Sequence, residues 1–322
     1  MKKKWILFLL LCCLSAVMSS HVWADSVIET NIAVPVSQMV WSDDGNALIL
    51  ISADEISLVS VSGGASAERI AIDEDDALIS ISGSGVAAAV SSDRDRIFIY
   101  EPGSYSKEMK EIDPGFSVLS VSISEDGTQI VADSADQIRT VIYSVKDGKE
   151  LHDLDGFQTA APVYDSTLSS DGQYLLWHSR GTFAVQNVAT GKLGETISLW
   201  DFASSFALSP DNKVLAVAII NEDYENGTVI FFDPQSGSEL GRSDLGAKAP
   251  YEVSYSADGS VLFAADTDSV YRINPETFEV TRQYVITDPA KENERINRIA
   301  ASPNGSSAAV LTTEGDLLLV TK

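Results

Sequence analysis

The segment Ser117-Val-Leu-Ser-Val-Ser-Ile-Ser-Glu-Asp-Gly127, with Gln129-Ile-Val-Ala-Asp133 after it, contains the pattern that decides the fold. Two runs rich in β-branched residues flank a short Ser-Glu-Asp-Gly stretch. Glycine supplies the positive φ that a tight hairpin requires. The segment therefore predicts two antiparallel strands joined by a turn at Gly127.

This turn pattern recurs seven times along the chain. Its anchor positions are separated by 40, 42, 45, 40, 47 and 46 residues, which is about the length of one four-stranded propeller blade. A uniform repeat over nearly the whole chain predicts one all-β domain, a seven-bladed β-propeller. The seven copies are Ser42-Asp43-Asp44-Gly45, Ser82-Gly83-Ser84-Gly85, Ser124-Glu125-Asp126-Gly127, Ser170-Asp171-Gly172, Ser209-Pro210-Asp211-Asn212, Ser256-Ala257-Asp258-Gly259 and Ser302-Pro303-Asn304-Gly305.

A third apolar run follows each hairpin, as at residues 96–100 and 228–232. It ends in a second turn, such as Lys146-Asp147-Gly148, and a more polar segment such as residues 279–286 comes next. Neighbouring blades cover the inner strands of a propeller on both faces, whereas the outermost strand meets water. These runs are predicted to be the third and fourth strands of each blade.

The two ends of the repeat region complement each other. The seventh repeat has only three predicted strands, at residues 297–302, 307–312 and 316–321, and residues 26–33 form an additional strand-like run before the first repeat. Pairing this run with the last strand completes the last blade and leaves no open sheet edge. The sequence therefore predicts a ring closed by its N-terminal strand.

The repeat resembles those of the WD-repeat-like and YVTN-type seven-bladed β-propellers. The resemblance is carried by a strand of small residues, a Ser-Pro-Asp-Gly turn, an apolar strand and a second Gly-containing turn. The best copies are residues 208–211 with 232–237, and residues 301–305. The resemblance covers residues 26–322 and implies the propeller architecture. No repeat keeps the Gly-His pair and Trp-Asp ending of true WD repeats, so it implies no particular chemistry.

Residues 1–24 are predicted to be a signal peptide. Three lysines at positions 2–4 precede an apolar stretch at residues 5–17 that is short for a membrane span. We place the cleavage after Ala24, which leaves a single domain over residues 25–322.

Two alternatives for the leader stay open, a lipid anchor on Cys12 or Cys13 and a retained membrane anchor. Both cysteines of the chain lie in the leader. The mature protein therefore has no disulfide, and a bacterial periplasmic or secreted location is the prediction.

The chain is strongly acidic. Its formal net charge is −25, and loss of the three leader lysines makes it −28. Such a surface repels nucleic acid and anionic lipid headgroups, so we expect no nucleic-acid partner and no membrane insertion after signal cleavage. It favours cationic partners or divalent ions.

Carboxylates recur between the second and third strands in six of the seven repeats. Asp residues commonly cap such turns, so the main interpretation is structural, and a cation-attracting ring is the alternative. No stretch has the spacing of an EF-hand loop, so no cofactor is predicted, with Ca²⁺ kept as an alternative. The carboxylates lie at Asp54-Glu55, Asp93-Arg94-Asp95, residues 133–136, Glu222-Asp223, Asp266-Thr267-Asp268 and residues 314–316.

A contact surface for a protein partner is predicted on repeats four and five. Exposed aromatic residues and arginine are typical of recognition surfaces. Packing of Trp200 inside the blade is an open alternative. The predicted contact residues are Trp177, His178, Arg180, Trp200 and Tyr224.

No residues match a known catalytic arrangement. The mature chain has two histidines, His152 and His178, and no thiol, which excludes cysteine chemistry and a multi-histidine metal site. The sequence therefore predicts an exported, non-enzymatic scaffold for protein–protein interaction in the bacterial periplasm or cell envelope. The alternative is a propeller enzyme of lactonase or hydrolase type that acts on a small molecule at the channel mouth with paired carboxylates and Ca²⁺.

Overall fold

The computed structural model describes residues 26–29, 32, 35–52, 55–61, 68–71, 76–102, 110–137, 139–155, 165–179, 181–199, 202–220, 227–246, 250–286 and 294–321. The predicted signal peptide at 1–24 lies outside these residues. The described part contains β-strands and turns, and it contains no helix long and apolar enough to cross a membrane.

The strands, in chain order, are β1 (Ser26–Glu29), β2 (Gln38–Trp41), β3 (Ala47–Ile51), β4 (Glu55–Ser60), β5 (Glu68–Ala71), β6 (Asp76–Ile81), β7 (Ala87–Ser91), β8 (Ile97–Tyr100), β9 (Lys110–Ile112), β10 (Val118–Ile123), β11 (Gln129–Ser134), β12 (Arg139–Ser144), β13 (Glu150–Asp155), β14 (Asp165–Leu168), β15 (Tyr174–Ser179), β16 (Thr182–Asn187), β17 (Ile197–Ser198), β18 (Phe202–Leu208), β19 (Leu215–Ile220), β20 (Gly227–Phe232), β21 (Glu239–Gly246), β22 (Glu252–Tyr255), β23 (Leu262–Ala265), β24 (Ser269–Ile273), β25 (Val280–Val285), β26 (Ile296–Ala301), β27 (Ser307–Thr312) and β28 (Leu317–Thr321).

These strands form seven antiparallel four-stranded sheets, the blades of a seven-bladed β-propeller. Blades one to six follow the chain as β2–β5, β6–β9, β10–β13, β14–β17, β18–β21 and β22–β25. The first strands of neighbouring blades contact one another, so they surround the central axis. The predicted fold class is confirmed.

The N-terminal strand completes blade seven. β1 pairs with β28 in an antiparallel ladder, so the sheet order is β1-β28-β27-β26. Leu318 lies opposite Val27, and Ile28 packs at the interface of blades seven and one. The first and last parts of the described chain therefore close the ring by hydrogen bonding, as predicted.

The repeated turn has a specific hydrogen-bond pattern that explains its residues. Ser42 Oγ donates to Asp44 Oδ1 at 2.6 Å, and the backbone N–H of Ala47 donates to Ser42 Oγ at 3.0 Å. The N–H of Gly45 donates to the carbonyl of Ser42 at 2.8 Å. All seven anchors have a φ between 61° and 84°, and Asn212 adopts it in place of glycine. The turn thus requires a capping serine, an Asp, Asn or Ser side chain two residues later, and a residue that tolerates a positive φ.

Blade four needs one correction. The capping serine is Ser169 and not Ser170, because Ser169 Oγ donates to Asp171 Oδ1 at 2.7 Å and accepts the N–H of Tyr174 at 3.0 Å. Two consecutive serines precede Asp171, and the sequence pattern matched the second of them. Ser170 therefore occupies the position that follows the cap.

The core is distributed between the blades. The described residues form seven buried clusters, and each cluster joins two neighbouring blades. The second and third strands supply most of the fully buried side chains, such as Leu48, Val217 and Phe263. Burial on both faces explains why these strands read as continuous apolar runs.

Candidate functional site

The propeller has two faces with different chemistry. We call the side with the turns between first and second strands the turn face; its turns comprise residues 42–46, 82–86, 124–128, 169–173, 209–213, 256–260 and 302–306. We call the opposite side, with the second-to-third-strand and inter-blade connections, the loop face. The contact surface predicted on repeats four and five includes residues of second-to-third-strand and inter-blade connections, which belong to the loop face.

A cavity of about 570 Å³ lies where the central channel opens on the turn face. Residues of blades one, two, three, four, six and seven line it, so it occupies the axis of the ring. We call it the channel cavity. Clefts of similar volume, about 580 Å³ and 550 Å³, lie between blades seven and one and between blades five and six, but the channel cavity is the one that residues of six blades line.

In every blade but blade five, the residue that follows the capping serine lies on the rim of this cavity. It is acidic in blades one and three, where Asp43 and Glu125 stand, and neutral in the other blades. Asp126 adds a third carboxylate. The described residues that line the cavity include no lysine, arginine or histidine. The rim is therefore acidic on one side, and we call Asp43, Glu125 and Asp126 the acidic arc.

Two carboxylates of this arc, those of Asp43 and Asp126, repel each other. Burial raises the pKa of Asp43 above its ordinary value, and the negative charges of Asp126 and Asp44 raise it further. Burial also acts to raise the pKa of Asp126, but hydrogen bonds from Ser124 and Thr128 outweigh it and leave that pKa lowered. Asp126 is thus ionised at neutral pH and disfavours ionisation of Asp43. A positive group in the cavity would relieve this repulsion.

Hydrogen bonding leaves carboxylate oxygens of the arc available. The three bonds to the Asp126 side chain, from Ser124 and Thr128, all go to Oδ1. Among the described residues, none donates to Asp126 Oδ2 or to the Asp43 carboxylate. The Asp43 backbone is fixed, since its N–H donates to the carbonyl of Gly83 at 3.1 Å.

Aromatic side chains form another part of the wall. Trp41 lines the cavity, and its indole Nε1 donates to the carbonyl of Ala300 at 2.9 Å, which joins blade one to blade seven. Tyr255 lines both the channel cavity and a neighbouring cleft between blades five and six. Its hydroxyl oxygen is buried and makes no hydrogen bond within the described structure.

Side chains on the inner strands connect neighbouring blades around the channel. Gln38 exchanges two hydrogen bonds with the backbone of Ile81, at 2.9 and 3.2 Å. Ser254 Oγ accepts the N–H of Ala301 at 3.0 Å. These bonds hold the first strands in register and make the channel wall rigid.

Glu252 belongs to the same set of contacts but carries a charge. Its Oε2 accepts the N–H of Ile299 in blade seven at 2.7 Å. Burial raises the pKa of Glu252 to about 7, although the Arg298 guanidinium and the Ile299 bond act to lower it. Burial therefore makes Glu252 easier to protonate than an ordinary glutamate.

The described carboxylates of the loop face mostly serve the fold. Asp133 is buried and accepts hydroxyl hydrogen bonds from Ser120 in β10 (2.6 Å), Thr140 in β12 and Ser166 of the next blade. Burial raises its pKa, and the three hydroxyl donors act against that shift. Asp133 thus joins two strands of its blade to the next blade.

Asp266 has a comparable role in blade six. It accepts the N–H groups of Asp268 and Ser269 at 2.8 Å each and the hydroxyl of Tyr271 at 2.7 Å. Both buried carboxylates favour the structural interpretation of the acidic loops. Asp54, Glu222 and Asp223 lie outside the described residues.

Two of the predicted contact residues are described. Trp177 is fully buried in the cluster between blades three and four, where its indole donates to Gln186 Oε1 at 3.1 Å. This gives Trp177 a packing role away from the surface. His178 is half-buried and stacks on Phe183 at 4.6 Å and against Phe206 at 4.9 Å, and burial lowers its pKa. Arg180, Trp200 and Tyr224 lie outside the described residues.

The channel cavity itself was not found from the sequence. The signal was the residue after each capping serine, which is Asp43, Gly83, Glu125, Ser170, Pro210, Ala257 and Pro303 in chain order. These seven residues include the rim carboxylates Asp43 and Glu125 and no positively charged side chain.

Within the described ranges, no group of three or more His, Cys, Asp or Glu side chains is arranged to hold a metal ion. A scan against protein-family models finds no matching family, and a search of curated proteins finds no matching relative.

Proposed function

We propose that this protein is an exported propeller that acts without catalysis, as a scaffold for protein–protein interaction in the bacterial periplasm or cell envelope. The single observation that carries the proposal is the channel cavity. It is open, concave and lined by aromatic, small and acidic residues on a rigid ring. Such a surface suits recognition of a protruding segment of another protein.

The use of the other carboxylates supports a binding role. Asp133 and Asp266 are engaged by hydroxyl and backbone donors that hold strands together. Aspartates of the repeated turns are engaged in the same way by their capping serines, as Asp171 and Asp211 are. Carboxylates committed to such bonds are poor candidates for acid–base chemistry on a substrate.

Export is supported by the leader-like composition of residues 1–24 and by the restriction of cysteine to that segment. Subcellular fractionation tests it. We expect the protein in the soluble periplasmic or secreted fraction, with an N-terminus at Asp25. Recovery in the cytoplasm with the leader intact would contradict export.

Partner capture tests the scaffold role and separates the two faces. The purified protein is immobilised and exposed to an envelope extract, in parallel with Asp43→Asn/Glu125→Gln on the turn face and Arg180→Ala/Trp200→Ala on the loop face. We expect a reproducible partner that the turn-face variant loses. A partner lost only by the loop-face variant would move the contact surface to the one predicted from the sequence on blades four and five, which comprises Trp177, His178, Arg180, Trp200 and Tyr224. Absence of any partner under native conditions would contradict the scaffold.

A second candidate function is supported by Glu252. A carboxyl group with a pKa of about 7 beside Arg298 is suited to general acid–base catalysis at neutral pH. The alternative is therefore a propeller enzyme, of lactonase or hydrolase type, acting at the channel with or without Ca²⁺. Turnover of lactone or ester substrates that Glu252→Gln abolishes would favour the enzyme. Thermal melting with EDTA or Ca²⁺ tests the ion, since a bound Ca²⁺ must raise the transition.

A further inference from the structure

We propose that the cleft between blades five and six binds an extended, proline-containing segment of the partner that also carries a basic residue. This inference rests on the proposed scaffold function and names the chemistry of the segment that the scaffold recognises. Tyr255 would donate a hydrogen bond to a backbone carbonyl of the segment, and Pro210 and Phe278 would contact its proline rings.

The cleft lies on the turn face. Its volume is about 550 Å³, within the range of roughly 300–1,000 Å³ that ligand pockets occupy. Its walls are the turn at residues 209–214 of blade five and two turns of blade six, at residues 258–259 and 275–278. Tyr255 lines both this cleft and the channel cavity, so the two adjoin. A segment in the cleft therefore extends the contact surface proposed for the turn face.

The Tyr255 hydroxyl is the observation that points to a ligand. Its oxygen is buried and makes no hydrogen bond to any residue that the structure describes. Burial raises the pKa of Tyr255 and the negative charge of Asp211 raises it further, so the hydroxyl keeps its proton beside Asp211. A buried hydroxyl without a partner is destabilising. The rest of the side chain is only partly buried, so a small rotation of the ring brings the hydroxyl to an acceptor in the cleft.

Blade one shows what an aromatic residue at this position does when its polar atom has a partner. Trp41, like Tyr255, is the last residue of the first strand of its blade, directly before the capping serine. Trp41 Nε1 donates to the carbonyl of Ala300 in the preceding blade at 2.9 Å. Within the described ranges, blade five gives Tyr255 no such acceptor. A backbone carbonyl of a bound segment would supply it.

The walls of the cleft favour a proline-containing segment. Apart from Tyr255, the described lining residues lie in turns, so they offer no strand edge to which a β-strand could be added. A polyproline-type segment makes no internal hydrogen bonds, so its carbonyls can accept a bond from a side-chain donor. Proline rings pack in grooves lined by aromatic side chains, and Tyr255 and Phe278 form such a lining here.

Phe278 gives the cleft a preformed aromatic wall. Its φ is 60°, which is strained for a bulky residue. Its N–H closes the same turn that ends in glycine in blades three, four and five, with φ between 65° and 68° at Gly148, Gly191 and Gly237. The ring stacks on Phe231 of blade five at 4.4 Å, and Ser243 Oγ donates to the Phe278 carbonyl at 2.6 Å. These contacts hold the ring in place before a ligand arrives.

The charge of the cleft favours a basic residue beside the prolines. Lys213 pairs with Asp211 at 2.9 Å. The described lining residues supply no second cation, so the charges of Asp258 and Glu276 stay unbalanced. A lysine or arginine of the segment would balance them, and its aliphatic stem would pack on the apolar wall.

Binding of labelled peptides to the purified protein, measured by fluorescence polarisation, tests the inference. The ligands are pools of blocked nine-residue peptides with proline at every third position, arginine at one end and varied residues elsewhere. Matched pools carry alanine in place of proline, or glutamine in place of arginine. We expect the proline–arginine pool to bind, the alanine pool not to bind and the glutamine pool to bind several-fold more weakly. Equal binding of the proline and alanine pools would overturn the assignment.

Tyr255→Phe supplies a readout that a structural role does not move. It removes an unpartnered hydroxyl, so the melting temperature should stay the same or rise, whereas affinity for the proline peptides should fall about fivefold. The control Tyr143→Phe removes a hydroxyl from β12, outside the cleft, and should leave the affinity unchanged. Unchanged affinity in Tyr255→Phe would overturn the proposed hydrogen bond.

Two prolines at the same position of the repeat locate the binding. Pro210 lines the cleft, and Pro303 lines the channel cavity. Pro210→Ala should weaken the peptides about threefold or more, whereas Pro303→Ala should change their affinity less than about twofold. Equal losses would overturn the site. A dimer of the unliganded protein that Pro210→Ala dissociates would place a second copy of the chain in the cleft and overturn the proposed occupant.

A charge variant tests the basic residue. Glu276→Gln should reduce the preference for the arginine pool over the glutamine pool. The control Glu195→Gln removes the same charge from an exposed position outside the cleft and should keep that preference. Equal losses of preference in the two variants would show general attraction to an acidic surface and overturn the role of Glu276.

The outcome also separates this inference from the scaffold proposal. If a partner is captured from the envelope extract and both Tyr255→Phe and Pro210→Ala bind it as tightly as the unaltered protein, the cleft inference fails and the scaffold proposal stands. If proline peptides bind in the cleft but no partner is captured, the reverse holds.

Discussion

Replacing Asp133 tests how the buried carboxylate holds blade three to blade four. Asp133 accepts hydroxyl bonds from Ser120, Thr140 and Ser166, and the last two side chains are each 1% exposed. Asp133→Ala leaves both buried hydroxyls without an acceptor, at about 1–3 kcal/mol each. Removal of a buried charge offsets part of this loss, because burial raises the pKa of Asp133 and so disfavours the ionised form.

We expect Asp133→Ala to lower the free energy of unfolding by about 3–5 kcal/mol. Asp133→Asn keeps one acceptor oxygen and the shape of the side chain, so it should cost about 1–3 kcal/mol. Ser166→Ala, which removes one of the donors, is the control and should cost about 1 kcal/mol.

Equilibrium unfolding in urea, with the slope compared between variants, is the assay. A loss below about 1 kcal/mol for Asp133→Ala would refute the cross-linking role. A larger loss for Asp133→Asn than for Asp133→Ala would show that the hydroxyls have other acceptors.

Three further predictions follow from particular residues. Burial raises the pKa of Glu252 from 4.5 to about 7, so the free energy of unfolding should fall by on the order of 3 kcal/mol as pH rises through that window. Urea unfolding at pH 5 and pH 8 measures this fall, which should be smaller in Glu252→Gln. The same fall in the variant and the unaltered protein would contradict the raised pKa. Asn212 has a φ of 61°, a backbone conformation that alanine adopts less readily than glycine or asparagine. Asn212→Ala should therefore lower the free energy of unfolding by about 1 kcal/mol, whereas Asn212→Gly should change it by less than about 0.5 kcal/mol. Equal melting temperatures for the unaltered protein and both variants would show that this position carries no strain. Deletion of Ser26–Glu29 exposes the edge of β28. It should lower the melting temperature and cause self-association, which light scattering detects. A monomeric deletion variant of unchanged stability would mean that β1 does not close the ring.

The fold could be predicted because its repeating unit is set by local chemistry. The turn needs a serine, an Asp, Asn or Ser side chain two residues later and then a residue with positive φ, all within a few positions of the chain. Closure could be predicted from a missing fourth strand and one unused run. The error at Ser170 arose because two adjacent serines satisfy the pattern equally, and only the register of β14 and β15 distinguishes them.

The channel cavity could not be predicted because it is assembled from distant parts of the sequence. Asp43 and Glu125 belong to blades one and three, and Tyr255 to blade six. Only the ring brings them together. Likewise, exposure of Trp177 depends on which side of β15 faces the neighbouring blade, and the sequence of that strand is apolar on both sides.

The acidic loops show where composition alone misleads. Asp133 and Asp266 belong to one sequence pattern with exposed residues such as Asp93, yet both are buried and fully engaged. Asp43 and Glu125, one position after a capping serine, instead lie on the rim of the channel cavity.

Site-directed photo-crosslinking in living cells tests whether the turn face is the contact surface. A benzoylphenylalanine residue is placed at Ser170, on the rim of the channel cavity, or at Thr267, an exposed residue of the loop face. We expect a crosslinked partner from position 170 and none from position 267. A partner crosslinked from position 267 and not from position 170 would contradict it.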